Sequence, residues 1–286
     1  MSKNNFENKE VIVNKIISFS SVDGPGNRMT IFLQGCNFDC LYCHNPETIN
    51  TCNHCGRCVS VCPTGALTFT ELELVNWQEK LCVACDQCLK ICMNDSSPRI
   101  KIMNIQEIIS EVKDKKEFIS GITVSGGEAC LHLDFLSDLF RKVKELGLST
   151  FLDTNGSVLL QEKKNLLRNL DMAMIDFKAF KSSEHKMLTG LDNVNVLKNI
   201  ELMAKLNKLY EVRTVIVPDL LENFYNVDQI SKLLVSLNSQ IRYKLIKYRD
   251  MGVRKDKMKY VSPEKKFMKK LVSVAKSNGC QNVIIV

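Results

Sequence analysis

Seven short apolar runs are spaced along the chain, and their continuous hydrophobicity is typical of strands that are buried on both faces. They occupy residues 29–35, 121–126, 149–156, 172–178, 210–218, 241–248 and 282–286. Amphipathic helical patterns separate them at residues 105–118, 133–147, 196–207 and 227–238. A last helix is predicted to begin with Ser262 as its N-cap and Pro263 at its first position. This alternation predicts an α/β fold with a parallel sheet.

One interval between strands is much longer than the others. The first run begins at residue 29 and the second at residue 121. The surplus lies at residues 51–99, which we predict to be a small inserted domain. Residues 1–50 and 100–286 then form a six-stranded, barrel-like α/β domain. So short an insert cannot bury a core of its own, so that bound metal must supply its stability.

The chain has 13 cysteines, and eleven of them fall into three runs between Cys36 and Cys92. Cys36, Cys40 and Cys43 form a C-x3-C-x2-C pattern, called here the cysteine triplet. Three thiolates leave one iron of a 4Fe-4S cubane free for an outside ligand, which implies chemistry at that iron. The other runs follow the C-x2-C-x2-C-x3-C spacing of bacterial ferredoxins, typical of closed electron-carrying sites. They are Cys52, Cys55, Cys58, Cys62 and Cys82, Cys85, Cys88, Cys92.

The two ferredoxin runs repeat one plan, as in two-cluster ferredoxins, where the fourth cysteine of each run ligates the other cluster. This pairing predicts a first insert set of Cys52, Cys55, Cys58 and Cys92, and a second insert set of Cys62, Cys82, Cys85 and Cys88. Zinc ribbons are the alternative, although they use pairs of C-x2-C rather than triplets with a trailing fourth cysteine. The sequence therefore predicts three 4Fe-4S clusters.

Charge and hydropathy exclude some classes of partner. The formal net charge of +7 comes from dispersed basic residues on predicted helix faces, and bound clusters would offset part of it, so we expect no nucleic acid. The polar start and the lack of an apolar stretch of about 18 residues predict a cytoplasmic protein without a membrane segment.

Five segments carry a family resemblance: SVDGPGNRMTIFLQGCNFDCLYCHNP at 21–46, VSGGEA at 124–129, FLDTNG at 151–156, MIDFK at 174–178 and VRTVIVP at 212–218. Together they resemble the radical S-adenosylmethionine (SAM) enzymes, and more closely the glycyl-radical-enzyme activating enzymes of the pyruvate formate-lyase type that carry two ferredoxin clusters. The resemblance implies a partial (β/α)6 barrel with a two-cluster ferredoxin-like insert. It also implies an oxidoreductase that cleaves SAM reductively and uses the 5′-deoxyadenosyl radical to make a glycyl radical on a partner enzyme.

The resemblance further implies roles for individual residues. The amino and carboxylate groups of SAM are expected on the open iron of the cysteine triplet. Further contacts to SAM are expected from Tyr42, His44, Gly126, Gly127, Glu128, Asp176, Lys178 and Arg213. A monovalent cation is expected at Asp153, Thr154, the carbonyl of Met174 and Asp176.

Plainer readings stay open for several of these residues. Asp176 with Lys178, and Arg213 with a nearby acid, are alternatively ordinary ion pairs, and His44 is alternatively a packing residue. Where many members of the family have a histidine after the sixth strand, this chain has Arg249. The role of that histidine is therefore not assigned to Arg249.

The resemblance implies a cognate glycyl radical enzyme as partner, met by residues 22–28, and a flavodoxin or ferredoxin as electron donor. The protein is expected to be a monomer. The alternatives are a radical SAM enzyme that acts on a small molecule, an activase of anaerobic ribonucleotide reductase, and a pure electron carrier. An open iron argues against the carrier, because electron transfer gains nothing from it.

Overall fold

The computed structural model describes residues 9–254 and 256–286, so the polar start at 1–8 lies outside the described residues. The strands are β1 (Glu10–Ser20), β2 (Arg28–Leu33), β3 (Leu67–Phe69), β4 (Val75–Trp77), β5 (Lys101–Asn104), β6 (Gly121–Gly126), β7 (Ser149–Thr154), β8 (Met172–Asp176), β9 (Leu209–Ile216), β10 (Arg242–Lys247) and β11 (Val283–Ile285). The helices are α1 (Arg57–Ser60), α2 (Gln87–Ile91), α3 (Ile105–Lys115), α4 (Leu133–Glu145), α5 (Lys164–Asn169), α6 (Ser182–Thr189), α7 (Val194–Lys205), α8 (Asn223–Asn238) and α9 (Lys265–Ser277). Within these residues, no helix is long and apolar enough to cross a bilayer.

The main sheet of the described chain has nine strands in the order β11-β10-β9-β8-β7-β6-β2-β1-β5. Neighbouring strands from β11 to β2 are parallel, whereas β1 pairs antiparallel with both β2 and β5. All seven predicted runs form strands of the parallel part. The predicted α/β fold with a mostly parallel sheet is therefore confirmed.

The antiparallel strands β1 and β5 were not predicted. Alternation along β1 is interrupted, because the pairing with β2 shifts register after Val13 and again after Ile17. β5 has only 4 residues. Both strands extend the sheet beyond β2. The register shifts of β1 and the shortness of β5 explain why hydrophobic periodicity did not reveal them.

The two faces of the parallel strands differ in polarity. Along β6, Ile122 and Val124 are fully buried in the apolar core beneath the helices, while Thr123 and Ser125 alternate with them on the other face. Burial of each large aliphatic side chain contributes roughly 1.5–3 kcal/mol, so the helix-covered face holds the fold together. The opposite face is left free for polar chemistry.

The predicted start of the last helix is wrong. α9 begins at Lys265 with Glu264 as its N-cap, two residues later than predicted. The Ser262 hydroxyl donates instead to the carbonyl of Tyr248, at 2.5 Å, so it does not cap a helix. Tertiary contact with the end of β10 overrides the local capping signal.

The segment 51–99 has its own small structure. The hairpin of β3 and β4 and the helices α1 and α2 surround an apolar cluster of Cys58, Leu67 and Cys88. Its two ends meet, because the Asn50 amide donates to the carbonyl of Asn94 (3.0 Å) and the chain returns to the sheet through β5. With so few apolar side chains, this segment depends on something other than burial for its stability.

Candidate functional site

The cysteine triplet lies in the loop that follows β2. The backbone N–H of Cys36 donates to the carbonyl of Ile49 at 2.9 Å, and that of Leu41 donates to the carbonyl of Leu188 at 2.9 Å. The loop is thus held on one side by the segment around Ile49 that follows it, and on the other side by the end of α6. Its position at the carboxyl end of a parallel strand is where such sheets place binding sites.

Gly126 and Gly127 let the end of β6 pack directly on this loop. The N–H of Gly127 donates to the carbonyl of Leu33 (2.9 Å), and that of Glu128 donates to the carbonyl of Gly35 (2.7 Å). A Cβ on Gly127 would lie 2.1 Å from the Gly35 carbonyl oxygen. The glycines are therefore required by close backbone approach.

The three thiols share a cavity of about 290 Å³ with the charged ends of three neighbouring strands. We call it the triplet cavity. Its lining includes Cys36, Cys40, Tyr42, Cys43, His44, Ser125, Gly126, Gly127, Asp153, Thr154, Asp176, Lys178 and Arg213. Most of the residues predicted from the sequence are thus brought together, from segments up to 177 positions apart (213 − 36).

Two acids and two bases form one ion-pair network in this cavity. The guanidinium of Arg213 lies between Asp153 and Asp176 and is 2.8 Å from Asp176 Oδ1 through Nε. Lys178 Nζ is 2.8 Å from Asp176 Oδ2. Burial lowers the pKa of Arg213 to about 10, whereas at Lys178 the effect of burial is outweighed by Asp176, Tyr42 and Cys40 together, and the pKa is raised. Asp176 and Lys178 do share one face, and both predicted ion pairs are present.

The oxygens expected to bind a cation surround this network. Asp153 and Thr154 end β7 and line the triplet cavity, and Met174 pairs with Asp153 across β7 and β8. The positive charge between the two carboxylates is the Arg213 guanidinium. A bound cation would therefore need Arg213 to withdraw.

Glu128 has a different position from that of the glycines before it. Its carboxylate is 1% exposed and accepts hydrogen bonds from Cys130 N (2.8 Å), Thr154 Oγ1 (2.7 Å) and Asn155 N (2.7 Å). Burial raises its pKa despite these donors. The side chain braces the ends of β6 and β7, so a direct contact to a ligand could come only from its backbone.

Tyr42 and His44 flank the thiols in different ways. Tyr42 is 2% exposed, packs on Tyr248, and its hydroxyl has no hydrogen-bond partner among the described residues. The His44 ring meets Tyr248 edge to face at 6.2 Å, and burial lowers the pKa of His44. Arg249, next in sequence to Tyr248, is exposed and, within the described chain, contributes nothing to the triplet cavity lining.

The triplet thiols are suited to a cluster rather than to a single ion. Burial raises the pKa of Cys36 to about 11 and of Cys40 to about 12, so both are neutral thiols unless a metal draws off the proton. The N–H of Phe38 already points to Cys36 Sγ at 3.4 Å. No three His, Cys, Asp or Glu side chains in residues 9–254 and 256–286 converge on one ion. A cubane takes one thiolate per iron and does not require such convergence.

The division of the insert cysteines into two sets stays a prediction. One small cavity is lined by all four members of the second insert set. In the first insert set, Cys55 and Cys92 lie close enough to Cys52 to add to the effect of burial in raising its pKa.

The two halves of the insert also share an unusual backbone. His54 and Gly56 in one half, and Ala84 and Asp86 in the other, all have positive φ (56°, 75°, 51° and 59°). The N–H of His54 donates to Cys52 Sγ at 3.4 Å, and that of Ala84 donates to Cys82. Left-handed residues in alternation aim backbone N–H groups at sulfur, an arrangement that favours negative charge there.

Sequence patterns did not indicate the role of Arg254. Its guanidinium joins Asp39 (2.5 Å), Asp95 (2.8 Å) and the carbonyl of Cys40 (2.8 Å). It thereby ties the triplet loop to the end of the insert. A basic residue in an irregular loop gives no periodic or motif signal, so only the fold reveals it.

Comparison with known families identifies the family to which the chain belongs. A family model described as "4Fe-4S single cluster domain" matches residues 22–197, more than half of the chain. The chain belongs to this family. The family match is consistent with thiol sites built for clusters.

Curated relatives match nearly the whole chain. A pyruvate formate-lyase-activating enzyme of Streptococcus mutans is 29% identical, over 88% of this chain and 82% of that protein. An indoleacetate decarboxylase activating enzyme of Tractidigestivibacter scatoligenes is 27% identical, over 88% of each. A 4-hydroxyphenylacetate decarboxylase activating enzyme of Clostridioides difficile is 28% identical, over 86% and 84%. These relatives confirm the predicted resemblance to activating enzymes.

Solved structures share the fold. QueE from Escherichia coli superposes with a TM-score of 0.57 at 12% identity, over 100% of this chain and 98% of that one. Streptococcus suis SuiB bound to S-adenosylmethionine gives 0.50 at 13% identity, over 63% and 42%. At these identities the likeness shows a shared fold and nothing more.

Proposed function

We propose that the protein is a radical SAM activating enzyme that produces a glycyl radical on a partner enzyme. The observation that carries the proposal is the triplet cavity, where three thiols face two carboxylates and two cations at the carboxyl ends of parallel strands. The printed functions of the curated relatives support it, because each is an activating enzyme and the matches cover most of both chains.

The residues of the cavity fit both cofactors. Cys36, Cys40 and Cys43 would hold a 4Fe-4S cluster with one iron left for SAM. When bound, the reduced cluster would supply one electron to the SAM sulfonium, and the products would be methionine and a 5′-deoxyadenosyl radical able to take a hydrogen atom from the partner's glycine. The chain has donors and acceptors for the ammonium and carboxylate of SAM in the charged network around Asp176.

The protein residues would bind, orient and exclude water. Lys178 and Arg213 keep positive charge beside the thiols, and Asp176 fixes both through its two oxygens. The buried Tyr42 hydroxyl has no partner in the described chain and is available to the adenosine part of SAM. Gly126 and Gly127 offer bare backbone at the end of β6, with Glu128 locking that strand end.

In this proposal residues 51–99 form a two-cluster ferredoxin-like domain inserted between residues 1–50 and 100–286. The first and second insert sets each hold a 4Fe-4S cluster, giving three in all, and a flavodoxin or ferredoxin donates the electrons. The grouping of Cys62 with Cys82, Cys85 and Cys88 around one cavity supports the exchange of the fourth ligand. A cytoplasmic location and a monomeric state stay predictions.

The monovalent cation also stays a prediction. It would bind Asp153, Thr154, Met174 and Asp176 only if Arg213 moved from between the carboxylates. SAM affinity measured in potassium and in tetramethylammonium buffers tests this. Equal affinities would mean that the guanidinium serves in place of a cation.

The segment 22–28 is the proposed contact with the partner's glycine loop. Gly24 and Gly26 have positive φ (124° and 75°), and Asp23 anchors the turn by accepting from Ser20 (2.5 Å) and Thr30 (3.0 Å). This anchoring leaves Val22 73% exposed beside the entrance to the sheet's polar face. An anchored turn with an exposed apolar side chain suits docking of a loop.

The experiment mixes the anaerobically reconstituted protein with reductant, SAM and the cognate glycyl radical enzyme. Electron paramagnetic resonance should show the α-hydrogen doublet of a glycyl radical, and deuterium on that glycine should appear in 5′-deoxyadenosine. Replacement of the partner's radical glycine by alanine should remove the doublet. Deuterium transfer from a small molecule, with no radical on the partner, would refute the proposal.

A further inference from the structure

The two insert sets differ in the side chains that approach their sulfurs. The cavity of the second insert set is also lined by Trp77, at the end of β4, and by Arg99. Both residues also line the cleft between the insert and β1, together with Cys82. One side of this set is therefore covered by an indole and a guanidinium.

Trp77 has a buried donor that is not satisfied by oxygen or nitrogen. Its Nε1 is buried and lacks a full hydrogen bond among the described residues, while the ring packs on Leu67 and Leu89. Cys82 lines the same cavity as this indole. Buried polar groups normally have partners, and a thiolate that carries charge when iron is bound would be one.

Arg99 adds a positive charge at the same place. Its guanidinium is held by Asp86 at 2.7 Å and lines the same cavity as the four sulfurs of this set. Cys62 Sγ also lies 3.9 Å from the Thr64 hydroxyl. The second insert set thus shares its cavity with a guanidinium and a buried indole N–H.

The first insert set has different groups beside its sulfurs. The His54 N–H lies 3.4 Å from Cys52 Sγ, and the Ser96 hydroxyl lies 3.4 Å from Cys92 Sγ. Arg57, which is next to Cys58 in sequence, is in contact with the sulfur of Met93. The duplication is thus symmetric in its cysteines, whereas the indole N–H and the Arg99 guanidinium lie beside the second insert set.

We propose that Trp77 and Arg99 raise the reduction potential of the cluster held by the second insert set above that of the cluster held by the first. The inference rests on the proposed function only in assuming that both insert clusters are present. Donors to cluster sulfur and a nearby positive charge stabilise the reduced form, which is one charge more negative. The second insert set therefore takes up an electron before the first.

A potentiometric titration of the loaded full-length protein, followed by electron paramagnetic resonance, tests this without SAM or partner. Cys55→Ser and Cys85→Ser assign the signals of the two clusters. Trp77→Phe keeps the ring and removes the N–H, and Arg99→Gln removes the charge. Each is expected to lower the reduced-to-oxidised ratio of the second cluster about tenfold at a fixed potential, which is about 59 mV for one electron.

Lys101→Gln is the matched control, because Lys101 lies two residues from Arg99 but pairs with Glu79 at 2.6 Å and is half-exposed. It should leave both potentials unchanged. If Trp77→Phe fails to load iron, the reduction potential of the second cluster in Arg99→Gln tests the inference on its own. Unchanged potentials in a fully loaded variant, or a second cluster that is harder to reduce than the first, would overturn this inference alone. Iron well below about twelve per chain in the wild type would overturn the cluster assignment as well.

Discussion

Replacing Gly127 by alanine should separate the end of β6 from the triplet loop. The new Cβ would lie 2.1 Å from the Gly35 carbonyl oxygen and 2.7 Å from that of Thr48. Comfortable contact requires about 3.5 Å, so the two segments must move apart by more than about 1 Å. That movement breaks the hydrogen bonds to Leu33 and Gly35, at about 0.5–1.5 kcal/mol each, and adds an overpacking cost of about 1–3 kcal/mol. The free energy of unfolding of Gly127→Ala should therefore be about 2–6 kcal/mol lower than that of the wild type.

Urea unfolding followed by circular dichroism measures this loss, and iron analysis measures the effect on the triplet. Gly147→Ala is the matched control, because its Cβ meets nothing within 4 Å and its cost comes only from a φ of +78°. The free energy of unfolding of the control should be about 1–2 kcal/mol lower than that of the wild type, and its iron content should be unchanged. Gly127→Ala should also lose about four irons per chain. If both variants have the same stability and the same iron content, close packing of this strand end on the loop is not what forms the triplet site.

Three further predictions concern the cofactors and the buried acid. Cys40→Ala should abolish reductive cleavage of SAM, whereas Cys85→Ala should still allow it with a strong artificial reductant; equal loss would mean that the clusters are inseparable. Asp176→Asn should weaken SAM binding in equilibrium dialysis while iron content stays at the wild-type value, because thiolates rather than this carboxylate hold the cluster; iron loss with unchanged affinity would contradict it. Burial raises the folded-state pKa of Glu128 above 4.5, so the folded protein binds more protons just above pH 4.5 and the free energy of unfolding should fall as pH rises through that window. Glu128→Gln should flatten this part of the pH profile of urea unfolding, and an unchanged profile would refute the assignment.

Much of the fold could be predicted because its signals are local. Continuous apolar runs locate the parallel strands, which alternate with amphipathic helical patterns. The edge strand β1 was missed because its register shifts interrupt the alternation that reveals a strand. Ser262 was assigned to a cap because local propensity cannot foresee a hydroxyl taken by the carbonyl of Tyr248.

The site was predicted less completely than the fold, because its charges belong to different strands. The sequence paired Asp176 with Lys178 and Arg213 with an unnamed acid, yet the network that joins them depends on neighbouring strand ends meeting in space. For Glu128 the sequence predicted a backbone contact and gave no role to the carboxylate. Its side chain turns to β7 rather than to the cavity, and no periodicity in the sequence encodes that turn.

The charges in the triplet cavity explain why it suits a pair of ligands. Asp153 and Asp176 are balanced by Lys178 and Arg213, so the described side chains contribute no net charge beyond the thiols. Neutral thiols are favoured by burial, as the raised pKa values of Cys36 and Cys40 show. A cubane bound by three thiolates carries about one negative charge, and SAM, with its ammonium, carboxylate and sulfonium, carries one positive charge. Because a buried uncompensated charge is costly, each ligand makes the site more favourable for the other.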